Sequence, residues 1–278
     1  ILEKKTDVLI QVKNVANHDF TACRESSMNY DIQVMFSDRI KVIPIIDGNN
    51  KLISVVTPGD NELLIDDFLI DENSTTFIIA EIGNNHNGDV KLARQLIDVA
   101  SNSGANCAKF QMRSMSAIYK SSIRGNSNSD LGTEYTVDLL QKYQLSDNDL
   151  FALFDYCKKK HIIPLCTPWD LESLDKLENY GLQAYKVASA DLTNHVLLKA
   201  ITDTKKPVIC STGMSTEEEI KLAIDLFKKE SSQFALLLCN STYPTPFKDI
   251  NLNYLQRLKQ MGAMIIGYSG HERGINIP

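Results

Sequence analysis

The sequence has no long hydrophobic run. Its apolar stretches fall well short of the roughly 20 residues that cross a bilayer, so no membrane partner is expected. No signal-peptide pattern precedes the first segment, and the first residue is Ile1 rather than Met. Positive charge is also short: 29 Lys and Arg against 35 Asp and Glu leave a net charge of −6. That balance argues against a nucleic-acid partner but not against a small anionic substrate, which needs only a few local lysines. Six cysteines (Cys23, Cys107, Cys157, Cys166, Cys210 and Cys239) show no CxxC spacing. Cys107, Cys166, Cys210 and Cys239 lie in or at the end of apolar runs. They read as small buried residues of a reducing compartment rather than disulfides or zinc ligands. The expected location is cytoplasmic.

What is present is ordinary for a globular protein: 278 residues, 43% hydrophobic and 23% charged. From residue 77 onward, short apolar runs alternate with amphipathic helical stretches. The runs are FIIAEIG (77–83), CAKFQM (107–112), IIPLCTPW (162–169), AYKVAS (184–189), PVICSTG (207–213), FALLLCNS (234–241) and MIIGYSGH (264–271). Leu92, Leu96 and Val99 fall at helical spacing, Gly104 stands where a helix ends, and Thr216 with Glu219 reads as a capping box. Strands apolar throughout belong to a parallel sheet covered on both faces. Nearly every run ends in polar groups, which suits a (β/α)8 TIM barrel, with its site at the strand C-termini, better than a doubly wound sheet. Seven strands are counted, so the eighth is expected to be missing from residues 76–278. The connection 113–146 is long enough to cover a substrate.

Residues 1–75 read differently. KVIPIIDGNNKLISVVT (41–57) is a strand, a DGNN turn and a strand. This small α+β N-terminal appendage resembles part of a CBS module; a structural or docking role is the plainer reading.

Each candidate side chain has a bland alternative. Glu81 reads as a structural ion pair or as a carboxylate suited to proton transfer in an apolar setting. Lys109 and Lys186 are harder to explain structurally, because buried lysines need partners. Together they make a pocket for a doubly charged group. Thr167, Ser189, Ser211 and Ser269 either satisfy strand ends or join the lysines as phosphate ligands. His86 and His271 are strand-end histidines or metal ligands, and Tyr243 either packs in a turn or faces the site.

Taken in order, IAEIGNNHNGD, ANCAKFQ, CTPWD, YKVASADLTNH, CSTGMST, CNSTYPTP and GYSGHE resemble the N-acetylneuraminate (sialic acid) synthase family across 77–278. That family includes legionaminate and pseudaminate synthases and spore coat polysaccharide relatives. The resemblance implies a transferase condensing phosphoenolpyruvate with an N-acetylated hexosamine of the mannosamine type. The products are a nine-carbon 2-keto sugar acid and phosphate. It implies Glu81, Lys109 and Lys186 as catalytic, with Lys109, Gln111, Thr167, Lys186, Ser189, Ser211 and Ser269 around phosphoenolpyruvate. Asn85, Asp191 and Tyr243 would face the sugar, and His271 would hold a divalent metal, Mn2+ before Mg2+ or Co2+. It also implies a homodimer at full length, with a second metal histidine on the eighth strand and a C-terminal antifreeze-like domain, neither within this sequence. Two other readings stay open: a Schiff-base pyruvate aldolase using Lys186 or Lys109, and a non-catalytic sugar- or nucleotide-binding regulator.

Overall fold

The computed structural model describes residues 22–24, 43–56, 62–71, 73–118 and 131–277. The chain divides into two compact units, Ile1–Gly59 and Asp60–Pro278. In the first, β1 (Cys23–Arg24) runs parallel to β2 (Ile43–Ile46), which pairs antiparallel with β3 (Leu52–Val56). The expected DGNN hairpin is there. Asp47 Oδ1 accepts the backbone N–H groups of Asn49 and Lys51, each at 2.8 Å, so one carboxylate satisfies the turn.

The second unit opens with a hairpin, β4 (Leu63–Ile65) and β5 (Phe68–Ile70). These residues fall within 1–75, yet Leu63, Ile65 and Ile70 pack into the core of the second unit. Seven parallel strands follow: β6 (Ile79–Gly83), β7 (Cys107–Met112), β8 (Ile163–Pro168), β9 (Tyr185–Val187), β10 (Val208–Ser211), β11 (Phe234–Cys239) and β12 (Ile265–Ser269). The helices between them are α1 (Val90–Asn102), α2 (Met115–Ile118), α3 (Leu131–Tyr143), α4 (Asp147–Lys159), α5 (Leu171–Tyr180), α6 (His195–Asp203), α7 (Glu217–Lys229) and α8 (Tyr254–Gln260).

Each strand pairs with the next in sequence, β6 through β12, with no reversal of order. A doubly wound sheet must reverse somewhere; a curling barrel never does. The sheet is therefore a barrel-like curl of seven strands. Among the described residues no eighth strand joins β12 to β6.

Alternation along each strand sorts its side chains onto two faces. Ala108, Phe110, Cys166, Val187, Cys210 and Leu236 face the helices and form the larger core. Cys107, Leu165, Ala184, Ile209 and Ala235 point the other way, at the strand N-termini, and close around the β4–β5 hairpin. One or two steps further along the same inner face stand Glu81, Lys109, Gln111, Thr167, Lys186, Ser211 and Ser269. The inner face thus changes from apolar to polar between one end of the strands and the other.

The helices follow from local signals with two differences. Thr216 and Glu219 form the expected capping box on α7, and Gly104 takes a φ of +81° just past α1. The spacing of Leu92, Leu96 and Val99 predicts the helix, and of these Leu96 packs partly buried against the core. Ala93, Ile97 and Ala100 are the buried residues, and Val99 is 63% exposed. Small alanines let the helix lie close to the sheet, which hydrophobicity alone does not signal. In the connection 113–146, residues 119–130 lie outside the described residues. The remainder contains α3, anchored by buried Val137.

Candidate active site

The bulge between β6 and β7 comes first. Register shifts between Glu81 and Gly83, so Glu81 pairs with Lys109 and Gly83 with Phe110. An extra residue in one strand re-aims the side chains beside it. Glu81 and Lys109 share the inner face and form an ion pair of 2.6 Å. The expected apolar setting for Glu81 is absent: its side chain is 51% exposed, against 7% for Lys109. The buried partner is the lysine, paired with a carboxylate that reaches the opening.

Two strands away, Lys186 is also buried. Its Nζ donates to Ser211 Oγ at 2.6 Å and to the Val187 carbonyl at 2.8 Å. Burial, reinforced by the positive charge of Lys109, pushes the Lys186 amine down to about 8. Glu81 offsets the charge of Lys109, whereas Lys186 meets only the neutral Ser211 hydroxyl and Val187 carbonyl, so a buried positive charge stays without an anionic partner there. Thr167 Oγ1 is buried beside them, and among the described residues it has no hydrogen-bond partner.

Beyond the strands, Ser189 Oγ accepts the Gly213 N–H at 3.1 Å. A Cβ at Gly213 would lie 2.8 Å from both the Cys239 carbonyl and Ser241 Oγ. Only glycine lets the loops after β10 and β11 approach this closely. Asp191 has a buried Oδ2 with no partner among the described residues, and burial raises its carboxyl above the usual range. Asn85 is exposed, its amide donating to the Glu81 carbonyl at 3.2 Å. Gln111 accepts a bond from Arg113, and Ser269 sits opposite Cys239 at the end of β12.

His271 Nδ1 lies 2.6 Å from the Asn240 carbonyl, so that nitrogen carries the proton. The Nε2 lone pair meets the Tyr243 hydroxyl at 3.0 Å, and the two rings stack at 4.0 Å. A histidine held through a backbone carbonyl has the tautomer a metal ligand needs. The rest of a metal cage does not assemble: among the described residues, no three His, Cys, Asp or Glu side chains come together. His271 fits as one donor, and the donor set is incomplete.

Comparison with known proteins decides the family. The NeuB family model matches residues 96–278. This chain belongs to the NeuB family. It is 38% identical over 214 residues to an N,N'-diacetyllegionaminic acid synthase of Campylobacter jejuni, covering 73% of this chain and 62% of that protein. It is 32% identical over 241 residues to the synthase of the same name from Legionella pneumophila, covering 83% and 64%. Among solved structures, an N-acetylneuraminic acid synthetase from Leptospira borgpetersenii superposes with a TM-score of 0.70 at 36% identity, covering 78% of this chain and 72% of that one. The chain spans about three fifths of the length of the curated relatives it matches.

Sequence reasoning on this NeuB-family chain passed over Arg113 and Trp169. The Arg113 guanidinium stacks on the Trp169 ring at 4.9 Å and braces Gln111. The signal was available for Arg113, since Lys109, Gln111 and Arg113 follow a period of two; the Trp169 backbone N–H bonds the Met112 carbonyl and extends the β7–β8 pairing.

Proposed function

We propose that the second unit binds phosphoenolpyruvate on its lysine face and condenses it with an N-acetylmannosamine-type sugar. The products are a nine-carbon 2-keto sugar acid and phosphate. The observation that carries this reading is the pair Lys109 and Lys186, both buried on one face with Ser211 and a Thr167 hydroxyl that has no partner among the described residues. Such a cluster matches a phosphate ester in charge and in hydrogen-bond donors. The names of the relatives, legionaminic and sialic acid synthases, support the same chemistry.

The chain's own groups divide the work. Lys186, with an amine value near 8, is mostly protonated at neutral pH. It donates to Ser211 until an anionic oxygen offers a stronger acceptor. The enol carbon attacks the sugar aldehyde, forming the carbon–carbon bond and leaving positive charge at the former enol carbon. Glu81 is the one carboxylate among the inner-face strand positions, and it places negative charge beside that centre. Water adds there to give a tetrahedral hemiketal phosphate, and the proton it releases goes to the alkoxide left by the aldehyde. The carbon–oxygen bond to phosphate then breaks as the hemiketal hydroxyl passes its proton to the departing phosphate, leaving the 2-keto group, and the lysines take up the phosphate's charge. His271 is the residue that would hold a divalent metal, Mn2+ by the sequence resemblance. Such an ion would polarise the sugar aldehyde. Asp191, Asn85 and Tyr243 are proposed to face the sugar.

Phosphate release from phosphoenolpyruvate upon addition of N-acetylmannosamine or its diacetamido analogues tests the reading. No release with any of them, with Mn2+ present, contradicts it. A second reading rests on one observation, the depressed amine of Lys186, which suits a Schiff-base nucleophile. Borohydride trapping separates the two: a pyruvate adduct on Lys186 supports the aldolase. For the first unit, Ile1–Gly59, proposed as a CBS-like appendage without the 63–70 hairpin, calorimetry of the whole protein with adenine nucleotides tests ligand binding, and no heat removes that role.

A further inference from the structure

The GNNHNGD segment between β6 and α1 contains a histidine that the proposed chemistry leaves unused. We propose that His86 is a positioning residue: its neutral imidazole replaces an Asx turn and fixes the loop that carries Glu81 and Asn85. The inference rests on the condensation reading for its functional consequence and on geometry for its structural one.

His86 is 4% exposed, and its ring lies stacked against Phe110 on the helix-facing side of β7. Its Nδ1 accepts the Gly88 N–H at 3.0 Å. This is a bond from a side chain to the backbone two residues on, the pattern that Asn and Asp use to build turns. With Nδ1 accepting, the proton sits on Nε2.

The loop needs such a brace. Gly83, Asn87 and Gly88 all take positive φ, at +49°, +50° and +76°. Asn87 pays a steric cost that glycine does not. The backbone is held by Asn85 N–H to Ile82, Asn87 N–H to Asn84 and Asp89 N–H to His86, at 2.9, 3.0 and 2.8 Å. The His86 ring adds to these the side-chain bond that holds the middle of the loop to its Gly88 end. A Cβ at Gly88 would lie 3.1 Å from the Lys142 carbonyl of α3, so the far end of the loop is wedged against that helix. The near end carries Glu81, whose carbonyl accepts the Asn85 amide. Freeing the ring therefore loosens Asn85 and Glu81 together. Lys186 and Ser211, on strands across the sheet, keep their own bond.

The test compares His86→Leu with His86→Asn in the otherwise unaltered protein. Leucine fills the space without an acceptor; asparagine restores an acceptor for the N–H two residues on. In His86→Leu, the sugar KM is expected to rise about tenfold or more and kcat to fall, while phosphoenolpyruvate affinity stays within about twofold. Hydrogen exchange at the Gly88 amide should lose its protection. His86→Asn should recover both the KM and the protection. The inference is overturned if His86→Leu keeps wild-type KM and Gly88 protection, or if His86→Asn is no better than leucine. It is also overturned if phosphoenolpyruvate affinity falls in step with everything else, the mark of a general structural loss. Gly88 exchange reads the brace without any turnover. If the wild-type protein condenses no sugar, the condensation reading fails, and the leucine and asparagine exchange patterns alone decide the inference.

Discussion

The two ends of the inner sheet face are built from the same strands and do opposite things. At the N-terminal ends, Cys107, Leu165, Ala184, Ile209 and Ala235 close on the β4–β5 hairpin with no polar group among them. At the C-terminal ends stand Lys109, Thr167, Lys186 and Ser211, buried as deeply yet polar. A shift of two residues along β7 separates Cys107 from Lys109, and the same shift along β8 separates Leu165 from Thr167. Position along the strand, not burial, separates the apolar residues of the core from the polar residues proposed to act on a ligand.

The largest expected break in this contrast is Lys186→Met. Removing a buried cation aimed at an anionic ligand should weaken phosphoenolpyruvate binding by about a hundredfold or more. The protein should lose no thermal stability, because a desolvated amine goes with it. Calorimetry and a melting curve read both; a destabilised variant with intact binding would reverse the assignment. At the apolar end, Leu165→Ala should cost about 2–5 kcal/mol of stability, measured by denaturant unfolding. The affinity of the folded fraction for phosphoenolpyruvate should not change.

Glu81→Gln sharpens the comparison within the polar end. It keeps the shape and removes the charge, so phosphoenolpyruvate should still bind while turnover falls about a hundredfold. An equal loss in both would make Glu81 a mere partner of Lys109. The smallest expected effect is with pH. The Lys186 amine sits near 8, below its ordinary 10.5, so it loses its proton as pH rises through about 8. Phosphoenolpyruvate affinity should weaken over that range. Stability should move the other way: between the two values the unfolded chain binds more protons, so raising the pH favours the folded state. Both trends should vanish in Lys186→Met.

All seven parallel strands were legible as apolar runs bounded by polar residues, since a doubly covered sheet leaves little room for alternation. The clustering of polar residues at their C-terminal ends pointed to the barrel-like curl. The hairpin 63–70 was not assigned to this unit, because two three-residue runs around Asp66 and Asp67 look alike whether or not a core waits for them. Its place is set by long-range contacts with residues such as Ala184 and Ile209. The helix α1 was legible, but not that Ala93 and Ala100 are among its most buried residues, because alanines signal weakly beside Val99. Within the site, residue types at strand ends were legible, and their partners were not. That Glu81 is open and Lys109 closed follows from a one-residue bulge that no local pattern announces.

The central claim is that the polar end of the inner face holds a phosphate ester between two buried lysines and converts it. The most direct measurement is phosphate release from phosphoenolpyruvate in the presence of an N-acetylated mannosamine-type sugar and Mn2+, run on the wild-type protein and on Lys186→Met. The account predicts sugar-dependent release by the wild type and none above background by the variant. Equal release by both, or phosphoenolpyruvate binding that ignores Lys186, would contradict it.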